Sequence, residues 1–393
     1  MDTDDDFSFF DAIQRRLLAE PLKPLRLKAK EILAKDSRAA LLIGPRGVGK
    51  TNILLEKVRL NLSKKLLYIS ADHPRLRAKS LLEFAESAFI YGYDGLLVDE
   101  VHYYKNWSQD LKALYDSHPQ KIIWASDSSS GVLRDGGYDL SRRFIKIDVP
   151  LLSFREYIHL NSSKILDSFN PFQAESDVFA KVLATEGISI LGLFQSYMAQ
   201  GLRPMFLEGD YSAKIAAVIE KTIHSDIPYL VEDLRHTHLM VMSAIVRALV
   251  MNPIPTFNID SMCKDWGIGR DKLYSLLSAM EAIGLIHIVK RKSDQSAFTK
   301  GSKIFMADPS VYSALGGNLG SRREALVYFC VKNAGLQIFA SKDEEVADFE
   351  VDNLLIEVGG KSKKIKKADY IVRDDIDMPR KGVIPLWSFG MMN

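Results

Sequence analysis

Short apolar runs recur along the first 150 residues, and segments of helical periodicity separate them. The runs lie at residues 39–43, 66–70, 96–100, 122–125 and 144–147. An uninterrupted apolar run of this length is typical of a strand that is buried on both faces. Each interval leaves room for a crossover helix, so the pattern predicts a five-stranded, doubly wound parallel sheet of the α/β class.

The pattern changes after residue 150. Amphipathic helical segments extend from residue 151 to residue 233, with breaks at Asn170-Pro171, 201–204 and 208–210. Such breaks separate short helices, and no group of residues suited to catalysis lies among them. We therefore predict a helical bridging region.

A different order of elements follows the bridging region. Helical periodicity is found at residues 240–250, 258–266 and 270–283, with a tight turn at 267–269. The apolar segment 285–289 then predicts the first strand of a β hairpin. Three helices followed by a hairpin form a winged helix-turn-helix.

The length of 393 residues exceeds what one hydrophobic core usually serves, and 47% apolar residues suffice for several cores. The predicted domains are a nucleotide-binding domain, the bridging region, the winged helix and a small α/β domain, at residues 1–150, 151–235, 236–315 and 316–393. The last apolar segment, 384–390, is predicted to be a strand that docks on the final sheet.

Charge and cysteine content exclude some classes of protein. A net charge of +2 excludes a globally basic nucleic-acid binder but allows a local basic face. Cys263 and Cys330 lie far apart with no histidine at metal-ligand spacing, which argues against disulfide scaffolds and zinc sites. The acidic start at 1–6, and the short apolar stretch 239–251 with its internal arginine, predict a cytoplasmic protein without a membrane segment.

Residues 44–51 read GPRGVGKT and fit the P-loop pattern G-x-x-x-x-G-K-[ST]. A predicted strand precedes the motif and a predicted helix follows it, which is the context a phosphate cradle needs. In such a loop Lys50 reaches the β- and γ-phosphates of ATP, and Thr51 offers its hydroxyl to Mg²⁺. The alternative is a plain strand-to-helix turn. The predicted nucleotide contacts are Gly44, Pro45, Arg46, Gly47, Val48, Gly49, Lys50, Thr51 and Asn52.

Two adjacent acids end the third predicted strand. ATP hydrolysis needs a carboxylate for the metal ion and a group that orients or deprotonates water. Asp99 is predicted to hold Mg²⁺, and Glu100 is predicted to act on the attacking water. Taken alone, acids at a strand end are often merely solvated; together with the P-loop they form the expected second half of the site.

Three polar residues further along are candidates for sensing nucleotide. Ser126 stands at the carboxyl end of the fourth predicted strand and could sense the γ-phosphate, although it also begins a serine-rich turn. Arg142 and Arg143 precede the last strand. Either could serve as an arginine finger to a neighbouring subunit of a homo-oligomer, or could be a surface arginine without nucleotide contact.

Three segments resemble a prokaryotic family of predicted AAA+-type P-loop ATPases. They read DEVHYYKNW at 99–107, LKALYD at 111–116 and LLSFREY at 151–157. Family members carry an acidic pair, a bulky residue, Gln or His and then Asn-Trp, and a Pro-Leu-Ser-Phe-x-Glu-Tyr segment after the ATPase core. Members also have Gly-Arg before the last strand; Arg143 matches that arginine, whereas Arg142 replaces the glycine and Leu151 replaces the proline.

The resemblance covers nearly the whole chain and implies a final domain with a restriction-endonuclease-like fold. Residues 303–309, KIFMADP, resemble the segment that leads into that domain. Its metal site would use Glu324, Asp348 and Glu357, with a lysine two residues after the last acid. Glycine stands there, and Lys361 comes two residues later, beyond Gly359-Gly360. We therefore expect the fold to be retained without nuclease activity.

Basic residues on the third helix and the hairpin of the predicted winged helix are candidate phosphate contacts for double-stranded DNA. They are Arg270, Lys272, Lys290, Arg291 and Lys292. The alternative is a packing module whose charges are solvated, because acids are interleaved among them.

Three functions are consistent with these features. The first is an ATP-driven, DNA-associated switch or motor that uses ATP and Mg²⁺. The second is an ATP-regulated, metal-dependent nuclease, and the third is a signalling scaffold that holds ATP without hydrolysing it.

Overall fold

A computed structural model describes residues 3–20, 24–35, 37–76, 79–127, 140–231, 233–254, 259–295, 302–362 and 367–393. The chain divides into two compact units, Met1–Pro150 and Leu151–Asn393. The first unit has the extent of the predicted nucleotide-binding domain. The three later predicted domains lie together in the second unit. No helix in the described ranges is long and apolar enough to cross a membrane.

The first unit is built on a parallel sheet of five strands in the order β2-β3-β4-β1-β5. The strands are β1 Ala39–Ile43, β2 Leu66–Ser70, β3 Gly95–Asp99, β4 Ile122–Asp127 and β5 Ile145–Asp148. All positions of β1, β3 and β4 are buried, which is why these strands appear in the sequence as apolar runs, with polar residues only at the carboxyl ends of β3 and β4. The predicted parallel α/β sheet is confirmed.

Within the described residues of the first unit, five α-helices accompany this sheet: α1 Thr3–Ala19, α2 Leu27–Leu33, α3 Lys50–Leu60, α4 Leu81–Ile90 and α5 Trp107–Ser117. A capping box fixes the start of α4, because the Ser80 hydroxyl accepts from the Glu83 N–H while the Glu83 carboxylate accepts from the Ser80 N–H. Aromatic rings of α1 and α4 meet at Phe7 and Phe84, whose centroids are 5.3 Å apart. The helices thus bury the sheet and leave the ends of its strands to form the site.

The second unit begins with helices and continues into the three-helix segment. The helices are α6 Phe154–Ser162, α7 Ser176–Leu183, α8 Ile190–Gln200, α9 Tyr211–Lys221, α10 Ile227–Leu230, α11 His236–Met251, α12 Ile259–Trp266 and α13 Arg270–Ala282. Strands β6 Ile286–Val289 and β7 Lys303–Met306 then form an antiparallel pair. This is the order of helices and hairpin expected from the sequence; the winged-helix assignment itself stays a prediction.

The rest of the second unit is a mixed sheet with helices. After α14 Ser310–Ala314 and α15 Leu319–Asn333 come five strands, in the order β12-β11-β10-β9-β8. They are β8 Ile338–Ala340, β9 Phe349–Val351, β10 Leu354–Gly359, β11 Tyr370–Arg373 and β12 Val383–Pro385. The predicted strand at 384–390 is wrong in part, because β12 ends at Pro385 and a short helix, α16 Leu386–Phe389, follows. Proline has no N–H group to continue the hydrogen-bond ladder of the sheet, and it is well tolerated at the start of a helix.

Candidate functional site

The P-loop lies between the end of β1 at Ile43 and the start of α3 at Lys50. Gly47 and Gly49 have φ angles of 77° and 97°, a region that favours glycine. Gly44 has a different reason to be glycine, because a Cβ there would lie 2.1 Å from the carbonyl oxygen of Val149. A side chain would therefore strain the backbone at Gly47 and Gly49 and would clash with Val149 at Gly44.

The side chain of Lys50 folds back over this loop. Its Nζ donates to the carbonyl oxygens of Gly44 at 2.8 Å and Pro45 at 3.0 Å. Burial lowers the pKa of Lys50, while Glu100 and Asp99 oppose that change. The ammonium group is therefore held at the loop by main-chain oxygens, where phosphate oxygens could replace them.

Asp99 is the centre of a hydrogen-bonded cluster at the carboxyl edge of the sheet. Its Oδ2 accepts from the Thr51 hydroxyl at 2.6 Å and from the Tyr68 hydroxyl at 3.0 Å, and its Oδ1 accepts from Ser126. Burial raises the pKa of Asp99, as does Glu100 beside it, while the Ser126 and Thr51 hydrogen bonds act in the opposite direction. Because β3 and β4 are neighbours in the sheet, Asp99 and Ser126 at their carboxyl ends meet here, beside Thr51 at the start of α3.

Oxygen donors of this kind suit Mg²⁺. The hydroxyl of Thr51 and the carboxylate of Asp99 are already in contact beside the glycine cradle, so these residues fit the predicted metal ion. Tyr68 was not anticipated from the sequence. Its position in the middle of an apolar run gave no signal that its hydroxyl reaches Asp99.

Glu100 follows β3 in a left-handed conformation, with φ 52°. Its Oε1 accepts from Nη1 of Arg46 at 3.1 Å, and both side chains are mostly buried. Its main-chain N–H is directed to Asp99 Oδ1 at 3.2 Å and to the Ser126 hydroxyl at 3.4 Å. The predicted water-activating carboxylate is therefore ion-paired with an arginine of the phosphate loop.

A histidine–aspartate pair lies next to Glu100 and was not proposed from the sequence. Nδ1 of His102 is 2.6 Å from Oδ1 of Asp127, and it is 3.6 Å from Oε2 of Glu100. The three residues offer ligand atoms that all lie within 4.8 Å of one another. The available signal was positional, because Asp127 directly follows Ser126 at the end of β4.

The two arginines before β5 differ in their surroundings. Nε and Nη2 of Arg143 each lie 2.8 Å from one carboxylate oxygen of Asp116 on α5. This hydrogen bonding lowers the pKa of Asp116. Arg142 is exposed. The serine-rich turn that follows Ser126, at 128–130, lies outside the described residues.

Two of the candidate DNA contacts in the second unit are paired with acidic side chains. Arg270 pairs with Asp260, and Lys292 contacts Glu350 at 2.8 Å. Lys272 lines a surface cleft with Asp233, Leu234, Arg235 and His238. Lys290 and Arg291 are partly buried at the end of β6. Arg235 and His238, at the start of α11, were missed because no motif marks them.

Two of the four candidate nuclease residues, Glu324 and Asp348, lie together in the structure. Glu324 on α15 and Asp348 before β9 both contact Nζ of Lys303, at 2.8 and 2.9 Å. Glu357 lies in β10, which ends at Gly359. Lys361 is exposed beyond that end, so the strand does not continue through the two glycines to align it with Glu357.

Comparisons with known proteins agree with the first unit's site. Residues 36–158 match a family model described as an AAA domain. An uncharacterized protein of Methanocaldococcus jannaschii is 26% identical over 386 residues, covering 87% of this chain and 80% of the relative. The parallel sheet, the P-loop and this domain match together support an AAA+-type, nucleotide-binding ATPase.

Two solved structures are also similar to the chain. A Walker-type ATPase of Pyrococcus abyssi has a TM-score of 0.44 and 15% identity, and covers 76% of this chain and 99% of that one. The Orc1 protein of Aeropyrum pernix, solved in complex with DNA, has a TM-score of 0.34 and 14% identity, and covers 77% of this chain and 96% of that one.

Proposed function

We propose that this protein binds and hydrolyses ATP and acts as a DNA-associated switch or motor. The observation that carries the ATPase part is the cluster in which Thr51, Asp99 and Ser126 meet beside the P-loop. A phosphate cradle, a metal-binding carboxylate and a polar sensor are the parts that phosphoryl transfer to water requires.

Each residue of the site has a role in this proposal. The main-chain N–H groups of 44–51 and the Lys50 ammonium bind the phosphates. Thr51 and Asp99 hold Mg²⁺, which supplies positive charge against the developing charge on the phosphate oxygens. Ser126 contacts the γ-phosphate, and Glu100 orients and deprotonates the attacking water.

In this proposal, the ion pair between Arg46 and Glu100 keeps the site inactive until nucleotide binds. Its guanidinium neutralises Glu100 at 3.1 Å, and it belongs to the loop that binds phosphate. Phosphate oxygens compete for the same guanidinium, since bidentate Arg–phosphate contacts are strong. Nucleotide binding would therefore free Glu100 for water.

DNA association rests on the second unit. The cleft at the start of α11 brings together Arg235, His238 and Lys272, and Lys272 lies on the third helix of the predicted winged helix. Arg235 and Lys272 give the cleft two basic groups beside Asp233, and basic groups next to a helix of this kind suit a phosphate backbone. Arg143, paired with Asp116 within one chain, is the proposed finger to a neighbouring subunit and would have to exchange that partner on assembly.

ATP hydrolysis by the wild type and Glu100→Gln, with and without duplex DNA, tests this function. A nucleotide-binding titration accompanies each assay, and Glu86→Gln is the control because Glu86 is an exposed acid on α4. We expect DNA-stimulated turnover that is lost in Glu100→Gln with binding kept, and retained in Glu86→Gln.

Two other outcomes would refute parts of the proposal. Tight binding that raises thermal stability, without turnover in any of the proteins, would instead establish a scaffold that holds ATP. Turnover and assembly that do not respond to DNA, with no nucleotide-dependent DNA affinity, would remove the DNA-associated role.

A further inference from the structure

A buried imidazole–carboxylate pair lies directly behind Glu100. His102 is in the short 3₁₀ turn Val101–Tyr103 that follows Glu100, and Asp127 is the last residue of β4. Both side chains are fully buried, and their Nδ1 and Oδ1 atoms are 2.6 Å apart. Two polar groups are removed from water here, which is unfavourable unless they are hydrogen-bonded to each other.

The contact with Asp127 determines which nitrogen of the His102 ring carries the hydrogen. An ionised carboxylate only accepts hydrogen bonds, so opposite an ionised Asp127 the ring is protonated at Nδ1 and donates a hydrogen bond to Oδ1. The same N–H edge lies 3.6 Å from Oε2 of Glu100. Asp127 therefore fixes the plane and tautomer of the ring, and the Nδ1 edge of the ring lies against the Glu100 carboxylate.

The carboxylate of Glu100 is consequently held from two sides. Arg46 contacts Oε1 at 3.1 Å, and His102 faces Oε2. The φ of 52° at Glu100 lies in the left-handed region, which strains a non-glycine residue and is kept where the surroundings impose it. When Arg46 turns to phosphate, the His102 ring still faces Oε2 of Glu100.

We infer that His102 and Asp127 are positioning residues for Glu100, which hold its carboxylate in the orientation that aligns the attacking water once Arg46 has left. This inference rests on the proposed ATPase function and adds to it two residues that do not touch nucleotide. A misplacement of about 1 Å at a reacting group can cost about 100-fold in rate, so the effect falls on kcat.

Steady-state ATPase kinetics and nucleotide-binding titrations of His102→Ala, His102→Gln and Asp127→Asn test the inference. His102→Ala should lower kcat by about 10- to 100-fold, with ATP affinity within about threefold of the wild type. His102→Gln keeps a neutral side chain with a donor near Asp127 and Glu100, so it should recover most of the loss. His118→Gln is the control, because His118 precedes β4 at the opposite end of the strand.

The outcomes separate this inference from the function on which it rests. Absence of turnover in the wild type would remove the proposed function itself, and turnover that survives Glu100→Gln would remove the role of Glu100 on which the inference depends. Turnover that is lost in Glu100→Gln while His102→Ala keeps kcat within twofold would overturn only the positioning role. A parallel loss of kcat and of nucleotide affinity in all three variants would also overturn it, because the pair would then merely maintain the pocket. Circular dichroism identifies an unfolded His102→Ala, and the two milder variants then decide.

Discussion

Replacement of Lys303 by methionine removes a charge from the interior of the second unit. Lys303 lies on β7 and is 4% exposed, with its Nζ 2.8 Å from Glu324 and 2.9 Å from Asp348. Burial alone would lower the pKa of Lys303, but the two carboxylates reverse that effect and the pKa is raised. The lysine therefore stays charged, and methionine would leave two acids without their shared cation.

The size of the effect follows from burial. Removing one partner of a buried ion pair costs about 3–5 kcal/mol, because the remaining charge is left uncompensated. Lys292→Met is the matched control, since Lys292 contacts Glu350 at 2.8 Å with its side chain half exposed. Exposed pairs contribute about 0–1 kcal/mol. Since whole domains are stable by about 5–15 kcal/mol, only the first loss is large.

Urea denaturation followed by circular dichroism measures the difference, and hydrogen exchange locates it in the second unit. With an m value of about 1–3 kcal/mol per M, the midpoint for Lys303→Met should fall by about 1 M or more. Lys303→Met combined with Glu324→Gln and Asp348→Asn should regain much of the loss, because no charge is then buried alone. A midpoint shift for Lys303→Met no larger than that for Lys292→Met would refute the reasoning.

Three further predictions follow from the two units. Gly44→Ala should abolish ATP binding in a titration, because its Cβ would meet the Val149 carbonyl at 2.1 Å, whereas Gly269→Ala, with open space around it, should bind normally. Arg46→Gln should raise the ATP concentration needed for half-maximal turnover and remove the ion pair to Glu100; unchanged kinetics would contradict both roles. Lys272→Ala should weaken duplex DNA binding and lower the slope of log affinity against log salt by about 1, while an unchanged slope would exclude a phosphate contact.

Lys303 also bears on the nuclease hypothesis. Glu324 and Asp348 converge as a metal site would require, but the point on which they converge is the Lys303 ammonium. Sequence spacing directed attention to Lys361, which lies beyond the end of β10. A lysine before the helix that carries Glu324 has no fixed spacing to these acids, so only the three-dimensional structure relates it to them.

The parts of the fold that sequence predicts are those whose cause is local. A strand buried on both faces is a continuous apolar run, as in β1 and β3, and the P-loop motif fixes where β1 ends and α3 begins. Residues 384–390 show where prediction from the sequence fails. The apolar residues 384–390 are all buried, and periodicity does not distinguish a short buried strand from a short buried helix.

At the candidate site, too, only some of the side chains could be predicted from the sequence. Lys50, Thr51 and Asp99 belong to motifs, and His102 lies in the segment that resembles the ATPase family, whereas Tyr68 reaches the site through the sheet. Tyr68 is placed by the pairing of β2 with β3, which sets Ser70 opposite Asp99. Such a contact depends on strand order, and strand order is not encoded in the spacing of apolar residues.

The nucleotide site satisfies its own charges in this conformation. Lys50 donates to carbonyl oxygens of its loop, Arg46 pairs with Glu100, and Thr51 donates to Asp99. Nucleotide binding would therefore exchange internal contacts for contacts to phosphate and metal, and the net affinity would reflect the difference between them. In the proposed function, the arginine that leaves Glu100 is also the one that contacts phosphate. Under that proposal, occupancy of the loop and release of the Glu100 carboxylate are one event, so Glu100 would not act on water in the absence of nucleotide.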